Sequence, residues 1–258
     1  MTENRVDAAT IPLIDVHVHV ATSSDNIWAG DELLKMLQDE NLRYLLCMAR
    51  LERKNELLRL ARENPDKIGI LPYFNPTDPE EFKTAESMLK DHPERVKGLK
   101  IHPAAHHYFV SLDTVDAVFR LANEYDVIME THTGAETNEA AMFLPLMEKY
   151  PDTKLILHHA FPLQDACRVA ESFQNVFVDT SYTIDNRESQ LYMLNRLGKE
   201  KILYAIDGIF WFPKDENGQF IPQFRKRAAE MLPWYKNDRD VIEHIYYKNA
   251  AKLLNLKI

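Results

Sequence analysis

The sequence predicts an α/β protein with the (β/α)8 TIM-barrel fold, and three observations indicate it. Short apolar runs alternate with longer amphipathic segments, which is the pattern of a parallel sheet covered by helices. Eight such pairs fit into 258 residues, a usual length for this barrel. No GxGxxG turn follows the first run, although a doubly wound dinucleotide-binding sheet often carries one.

Each apolar run is short enough for a buried strand. The predicted strands are at 13–18, 42–48, 67–74, 96–101, 126–131, 154–158, 175–180 and 201–206. The helices between and after them carry apolar residues at helical spacing, such as Leu33 and Leu37 in the first, or Val115 and Phe119 in the fourth. The predicted helices are at 31–40, 52–63, 79–91, 113–125, 136–149, 163–173, 187–197, 224–232 and 238–254.

Composition limits the domain organisation and the classes of binding partner that we expect. No linker or internal repeat divides the chain, so we expect a single domain over residues 1–258. The formal net charge is −9, which argues against a nucleic-acid or membrane-surface binder. We find no signal peptide and no apolar run long enough for a membrane span. We therefore expect a cytoplasmic protein with a small-molecule substrate. We also expect a homodimer, only because homodimers are the commonest oligomers of soluble proteins.

Histidine is the informative residue type. The ten histidines are His17, His19, His92, His102, His106, His107, His132, His158, His159 and His244. Only His92 and His244 fall in predicted helices, and the other eight lie at or just past the ends of apolar runs. In a parallel barrel these strand ends meet at the face that carries catalytic residues.

The strand ends supply the donors of a metal site. His17 and His19 are two residues apart on a strand, so both imidazoles point to one face. A third imidazole and a carboxylate from other strands would complete a set that suits Zn²⁺ with a position left for water. Any one of these residues alone is more often a hydrogen-bonded strand end or a helix cap. Their joint occurrence after strands one, five, six and eight favours a metal site.

Seven segments match a known family in order and spacing across nearly the whole chain. They are 14–19 (IDVHVH), 98–103 (GLKIHP), 132–134 (HTG), 154–159 (KLILHH), 175–181 (NVFVDTS), 202–207 (ILYAID) and 248–254 (KNAAKLL). Together they resemble the amidohydrolase superfamily, and in particular its amidohydrolase-related branch. That branch contains metal-dependent decarboxylases similar to aminocarboxymuconate semialdehyde decarboxylase, and many small hydrolases.

The resemblance implies the metal ligands and the cofactor. His17, His19, His132 and Asp207 correspond to the family's ligands, and the aspartate also takes a proton from the bound water. One divalent metal is expected, with Zn²⁺ preferred and Mn²⁺ or another divalent ion as alternatives. A second metal bridged by a carboxylated Lys100 is the less favoured arrangement.

Three further site residues follow from the resemblance. The family's spacing after the strand-six lysine selects His159 over His158 as the histidine that acts on the water or the substrate. Because strand side chains alternate, we expect only one of the two to face the barrel interior. Lys100, as a free amine, and His102 are expected to contact the substrate.

The leading hypothesis is a metal-dependent hydrolase that cleaves an amide, ester or lactone bond through a metal-bound hydroxide, with Asp207 as the proton carrier. The alternative is a metal-dependent non-oxidative decarboxylase of a small carboxylic acid, for which Lys100 and Arg50 are available cations. The limited room for long helical insertions favours the hydrolase. A non-catalytic metal or ligand binder is a third hypothesis, against which the intact Asp207 argues.

Two loops leave alternatives open. The segment Ile209–Phe210–Trp211 replaces a proline-containing turn of the family, and it either walls a pocket, fills a subunit contact or packs in the core. His106, His107 and Tyr108 either cover the pocket or lie on the exposed surface.

Overall fold

Eight parallel strands in chain order form the barrel of this protein. The computed structural model describes residues 6–21, 28–181, 186–209 and 212–257. The strands are β1 (Leu13–His19), β2 (Leu42–Arg50), β3 (Ile68–Tyr73), β4 (Gly98–Ile101), β5 (Ile128–His132), β6 (Lys154–His158), β7 (Val176–Asp179) and β8 (Ile202–Leu203). Hydrogen bonds from β1 close the sheet, since Val16 N donates to Tyr204 O at 3.2 Å and His19 N donates to Gly208 O at 2.6 Å. The predicted TIM barrel is confirmed.

Helices alternate with the strands and cover the sheet. They are α1 (Gly30–Met36), α2 (Lys54–Glu63), α3 (Pro79–Asp91), α4 (Pro103–His106), α5 (Leu112–Glu124), α6 (Leu144–Lys149), α7 (Leu163–Ser172), α8 (Arg187–Leu197), α9 (Phe224–Met231), α10 (Arg239–Glu243) and α11 (Asn249–Leu253). The predicted bounds of α3 and α8 are confirmed. Within the described ranges no helix is both long and apolar enough to cross a membrane.

Two apolar clusters follow from the alternation of strand side chains. Leu45 and Ile70 belong to the outer cluster between sheet and helices. Leu46, Leu71 and Ile156 belong to the inner cluster, which fills the barrel below the site. Because successive side chains point to opposite faces, the residue two positions beyond each inner apolar residue again faces the interior, nearer the carboxyl end. These positions carry the polar side chains at the carboxyl end of the barrel.

One predicted helix differs from the structure, and one helix of the structure was not predicted. The helix predicted at 136–149 is a 3-10 helix (Ala140–Phe143) followed by α6. Pro145 occupies the first turn of α6, where its missing N–H has no intrahelical partner to lose, and this favours a helix start. The short helix α4 was not predicted, so His106 lies in a helix rather than in a loop.

The last predicted strand is shorter in the structure, and the last predicted helix is divided, because backbone hydrogen bonds connect the two segments. Tyr204 N donates to Ile245 O at 2.9 Å, and Ala205 N donates to Thr180 Oγ1 at 3.0 Å. These bonds replace backbone pairing with β7 after Leu203, so β8 is shorter than predicted, while Tyr204 and Gly208 still accept hydrogen bonds from β1. The Ile245 carbonyl lies in a π-helical turn (His244–Lys248), which divides the helix predicted at 238–254 into α10 and α11. Phe210, Trp211, Tyr182 and the segment 22–23 lie outside the described residues.

Candidate metal centre

Strand β1 brings two imidazoles together. The register between β1 and β2 shifts between Asp15 and Val18, and Asp15 Oδ1 accepts a hydrogen bond from His17 N at 2.9 Å. Such a shift changes which side chains face inward. The Nε2 atoms of His17 and His19 lie 3.2 Å apart, so the predicted shared face of the two histidines is observed.

Asp207 adds a carboxylate to the two imidazoles. Its Oδ1 lies 3.3 Å from His17 Nε2 and 3.6 Å from His19 Nε2. All three donor atoms lie within 4.8 Å of one another. Burial, together with nearby cations, lowers the pKa of His17 and of His19 well below the ordinary value, so both rings are neutral and can donate lone pairs. Two neutral imidazoles and a carboxylate suit a divalent transition metal, so these residues fit such an ion.

Asp179 orients His17 from the opposite side of the ring. Its Oδ2 lies 3.2 Å from His17 Nδ1 and 2.6 Å from His158 Nδ1. Its Oδ1 accepts hydrogen bonds from His159 N at 2.9 Å and from Ser181 Oγ at 2.8 Å. A carboxylate that accepts the Nδ1 proton fixes the tautomer of the ring and leaves Nε2 available to a metal. His17, His158 and Asp179 also form a second group of three donors.

His158 lies between two carboxylates. Its Nε2 is 2.9 Å from Glu130 Oε2, and its ring is fully buried. Burial opposes its protonation, as does the Lys100 ammonium, but Glu130 and Asp179 outweigh both and raise the pKa of His158. With both ring nitrogens engaged, His158 holds neighbouring groups in place and has no ring nitrogen left for a water.

His159 also faces the site, so the prediction that only one histidine of this pair faces inward is wrong. Strand β6 ends at His158, and His159 has a left-handed backbone with φ 66°. This conformation breaks the alternation of the strand. The His159 ring lies 5.2 Å from that of His17, and its Nδ1 lies 3.1 Å from Ser181 Oγ. Burial lowers the pKa of His159 to about 3.

His132 and His102 form a stacked pair beside this group. Their ring centres are 3.9 Å apart with an angle of 11° between the planes, and His132 is 4.5 Å from the His159 ring. Burial lowers the pKa of both rings far below the ordinary value. His132 belongs to neither group of three close donors, and its role as a ligand stays a prediction.

Lys100 lies in the barrel interior between these groups. Its side chain is fully buried, and Nζ makes no hydrogen bond to the described residues. Burial lowers the pKa of Lys100 to about 8, while Glu130, Asp207 and Asp179 oppose that shift. The ammonium therefore carries charge at neutral pH and is available to an oxygen of a bound molecule.

Comparison with known proteins now identifies the family. The amidohydrolase family model matches residues 14–256. The chain belongs to the amidohydrolase family. Members of this family are metal-dependent enzymes, either hydrolases or decarboxylases, so this amidohydrolase is an enzyme of that kind, and its site takes a divalent metal. A search of curated proteins found no match.

Solved structures show the same fold at low identity. The 5-carboxyvanillate decarboxylase of Sphingomonas paucimobilis is 15% identical with TM-score 0.69, over 96% of this chain and 100% of that one. A dihydroxybenzoic acid decarboxylase of Polaromonas sp. JS666, solved with bound manganese, is 14% identical with TM-score 0.67, over 95% and 97%. The dihydroorotase of Campylobacter jejuni is 14% identical with TM-score 0.68, over 96% and 84%. The amidohydrolase shares its barrel with all three.

No role was predicted for two interior residues of this amidohydrolase, although one of them, Asp179, lies near the end of a predicted strand. Glu130 lies two residues before His132 on β5, and Asp179 ends β7 two residues after Phe177. The signal for both was same-face spacing, because residues i and i+2 of a strand point the same way. Extending the alternation back from His132 would have selected Glu130.

Both predicted alternatives are observed in the segment after β4, at different residues. His106 is half-buried with its ring 5.2 Å from that of Tyr73, and Tyr108 is buried. His107 is exposed, with a left-handed backbone. His106 and Tyr108 therefore face the site side of the barrel, and His107 lies on the surface.

Proposed function

We propose that this amidohydrolase is a hydrolase that cleaves an amide, ester or lactone bond of a small molecule. The observation that carries the proposal is the position of Asp207 Oδ1 within 3.6 Å of the Nε2 atoms of both His17 and His19. A carboxylate there is close enough to two metal-binding imidazoles to serve both as a ligand and as a base for a water at the same point.

His17, His19 and Asp207 would hold the metal, with His132 as the fourth ligand. We propose Zn²⁺, with Mn²⁺ as the alternative. When bound, a divalent metal lowers the pKa of water and polarises a carbonyl oxygen. We also propose a cytoplasmic homodimer that does not act on nucleic acid, since the net charge of −9 argues against a nucleic-acid substrate.

The chain's own residues supply proton transfer and positioning. Asp207 accepts the proton of the attacking water and transfers it to the leaving group. His159, held through Nδ1 by Ser181, directs its Nε2 to the water. The substrate contacts Lys100, whose Nζ has no hydrogen-bond partner in the described part of the chain, and His102, which stacks on His132.

Metal content and turnover of one variant pair test this proposal. Untagged protein purified without added metal should contain about one transition metal per chain by inductively coupled plasma mass spectrometry, and His17→Ala should lose it. His244→Ala, in the π-helical turn outside the site, is the matched control. Asp207→Asn should keep much of the metal and lose about a hundredfold to ten-thousandfold in turnover of lactones, esters or amides. Full activity of Asp207→Asn, or no metal after incubation with Zn²⁺ or Mn²⁺, would contradict the proposal.

Decarboxylation of a small carboxylic acid is the second candidate. The observation that favours it is the buried Lys100 ammonium, whose Nζ has no hydrogen-bond partner among the described residues. Such a cation can hold the carboxylate of a substrate. Release of CO₂ from aromatic acids without hydrolysis products would select this candidate, and alcohol, amine or hydroxy-acid products would select the hydrolase.

A further inference from the structure

The carboxyl ends of β2, β3 and β4 carry a row of three polar side chains beside the candidate metal centre. In the register of the sheet Arg50 lies opposite Tyr73, and Tyr73 lies opposite Lys100. Residues opposite each other in a parallel sheet point to the same side, here the interior that Tyr73 shares with the inner apolar cluster. The guanidinium carbon of Arg50 is 5.8 Å from the centre of the Tyr73 ring.

Two residues that follow β4 complete this group. The His106 ring lies 5.2 Å from the Tyr73 ring. Tyr108 is buried, and burial together with the neighbouring Tyr73 raises the pKa of its hydroxyl. Both phenols are therefore neutral hydrogen-bond donors at neutral pH. We call Arg50, Tyr73, His106 and Tyr108 the Arg50 subsite.

Each member of the Arg50 subsite has a buried polar atom that makes no well-formed hydrogen bond within the described ranges, although the Arg50 side chain interacts with the Tyr73 hydroxyl. Arg50 Nε, Tyr73 Oη, His106 Nδ1 and Tyr108 Oη make no hydrogen bond of ordinary geometry to the described residues. Buried polar groups in native proteins are normally paired. Arg50 Nε, His106 Nδ1 and Tyr108 Oη have no partner among the described residues, which indicates that a bound molecule supplies one.

The charge of the subsite selects an anion. A guanidinium is always charged, and within the described residues Arg50 forms no ion pair with a carboxylate. Glu52 lies near His106, and Glu81 lies near Tyr73 but accepts the Asn75 N–H at 2.6 Å. A guanidinium beside the Tyr73 phenol, with the Tyr108 phenol as the neighbour of Tyr73, matches the planar oxygens of a carboxylate.

The Arg50 subsite lies one side chain away from the reacting centre. The Tyr73 ring is 6.2 Å from the His19 ring and 6.1 Å from the His102 ring. His102 in turn stacks on His132 at 3.9 Å. A small molecule can therefore reach both places at once, with His102 between them.

We propose that the Arg50 subsite binds a carboxylate of the substrate that is not the group at which the reaction occurs. The substrate class is then small organic acids with a second functional group within about one ring's length of that carboxylate. The proposal rests on the proposed function in so far as it places the reacting bond at His17, His19 and Asp207. Such a carboxylate would explain why Arg50, Tyr73 and Lys100 lie at the ends of β2, β3 and β4, where no metal ligand is predicted.

Binding of benzoate and of glutarate, measured by isothermal titration calorimetry on metal-loaded and on metal-free protein, tests the proposal. Both acids should bind saturably in either state, and the neutral analogues benzamide and glutaramide should not. Arg50→Met should weaken binding of the acids about tenfold to a hundredfold. Arg43→Met removes an exposed guanidinium at the other end of the same strand, and it should bind the acids like the parent protein.

A second variant guards against a folding defect in Arg50→Met. Tyr108→Phe removes one hydroxyl oxygen and should weaken acid binding about threefold to tenfold, with an unchanged near-ultraviolet circular dichroism spectrum. Binding that disappears with the metal but is unaffected by Arg50→Met would place the carboxylate at the metal and overturn the subsite. Absence of binding of both acids to folded protein would overturn it as well. Metal content, measured on the same samples, reports separately on the proposed function.

Discussion

Asp179 shows how a single residue organises this site. Its two carboxylate oxygens contact His17, His158, the His159 backbone and Ser181. Burial opposes its ionisation, but His158 and His17 outweigh burial and hold the pKa of Asp179 well below its usual range. The resulting fixed negative charge directs His17 Nε2 toward His19 and Asp207.

Replacement of Asp179 should therefore act on the metal through His17. We expect Asp179→Asn to weaken Zn²⁺ binding about tenfold to a hundredfold, because the amide no longer accepts the Nδ1 proton as a carboxylate does. Competition with a chromophoric chelator measures the affinity. Asp165→Asn, on helix α7 with an exposed Arg168 as its partner, is the matched control. Equal Zn²⁺ affinity of parent protein and Asp179→Asn would show that His17 is oriented by other contacts.

At the scale of elements, β5 and β6 change from apolar to polar along the interior face. Ile128 is followed by Glu130 and His132 on β5, and Ile156 is followed by His158 on β6. The apolar residues pack as the inner cluster, and the polar residues nearer the carboxyl ends of the strands form a layer of charged groups above it. The core thus places the polar layer, since both lie on the same strands and the same face.

Close packing between strands makes one glycine necessary for β4. A Cβ added at Gly98 would collide with the backbone carbonyl of Ile128 on β5 and with Leu71. Backbone cannot yield as a flexible side chain can, so we expect Gly98→Ala to lower the free energy of unfolding by about 1–3 kcal/mol. Urea unfolding followed by circular dichroism measures the change.

An alanine substitution at an open position is the control for that measurement. Glu86→Ala, at an exposed position of α3, should change the free energy of unfolding by less than about 0.5 kcal/mol. A Gly98→Ala protein as stable as the parent would mean that β4 and β5 separate easily, and Lys100 would then be held less firmly than we infer.

At the scale of the whole molecule, the buried histidines make folding sensitive to acid. Burial lowers the pKa of His102, His106 and His159 in the folded protein, to about 4 for His106. In the unfolded chain each of these histidines has a pKa of about 6.5. Below that pH the unfolded chain binds more protons than the folded one, so the free energy of unfolding falls as the pH falls. His158, whose pKa is raised, acts in the opposite direction and offsets part of the loss.

We therefore expect the Tm of metal-free protein to fall between pH 7.5 and pH 5.5. Each neutral buried histidine contributes at most about 1.4 kcal/mol per pH unit below about 6.5. Differential scanning calorimetry at several pH values measures the slope. His106→Gln should reduce it, whereas His92→Gln, at the end of α3 and outside the site, should not. A Tm independent of pH over this range would contradict the burial of these rings as neutral groups.

The sequence by itself determined the alternation of strands and helices, because apolar period and length are local properties of the chain. It also determined which residue types lie at the strand ends, and hence the candidates His17, His19, Lys100, His132 and Asp207. The spacing of His17 and His19 was sufficient for their shared face, since two residues is the repeat of a strand.

Only the tertiary structure decided which of these residues meet. Asp179 and Glu130 contact His158 across three strands, and such contacts depend on the register of the closed barrel. His159 faces inward because its backbone is left-handed past the end of β6, which no periodic pattern encodes. Arg50, Tyr73 and Lys100 stand in one row because β2, β3 and β4 pair in a particular register. That register is set by packing between strands distant in the chain, so local sequence could not supply it.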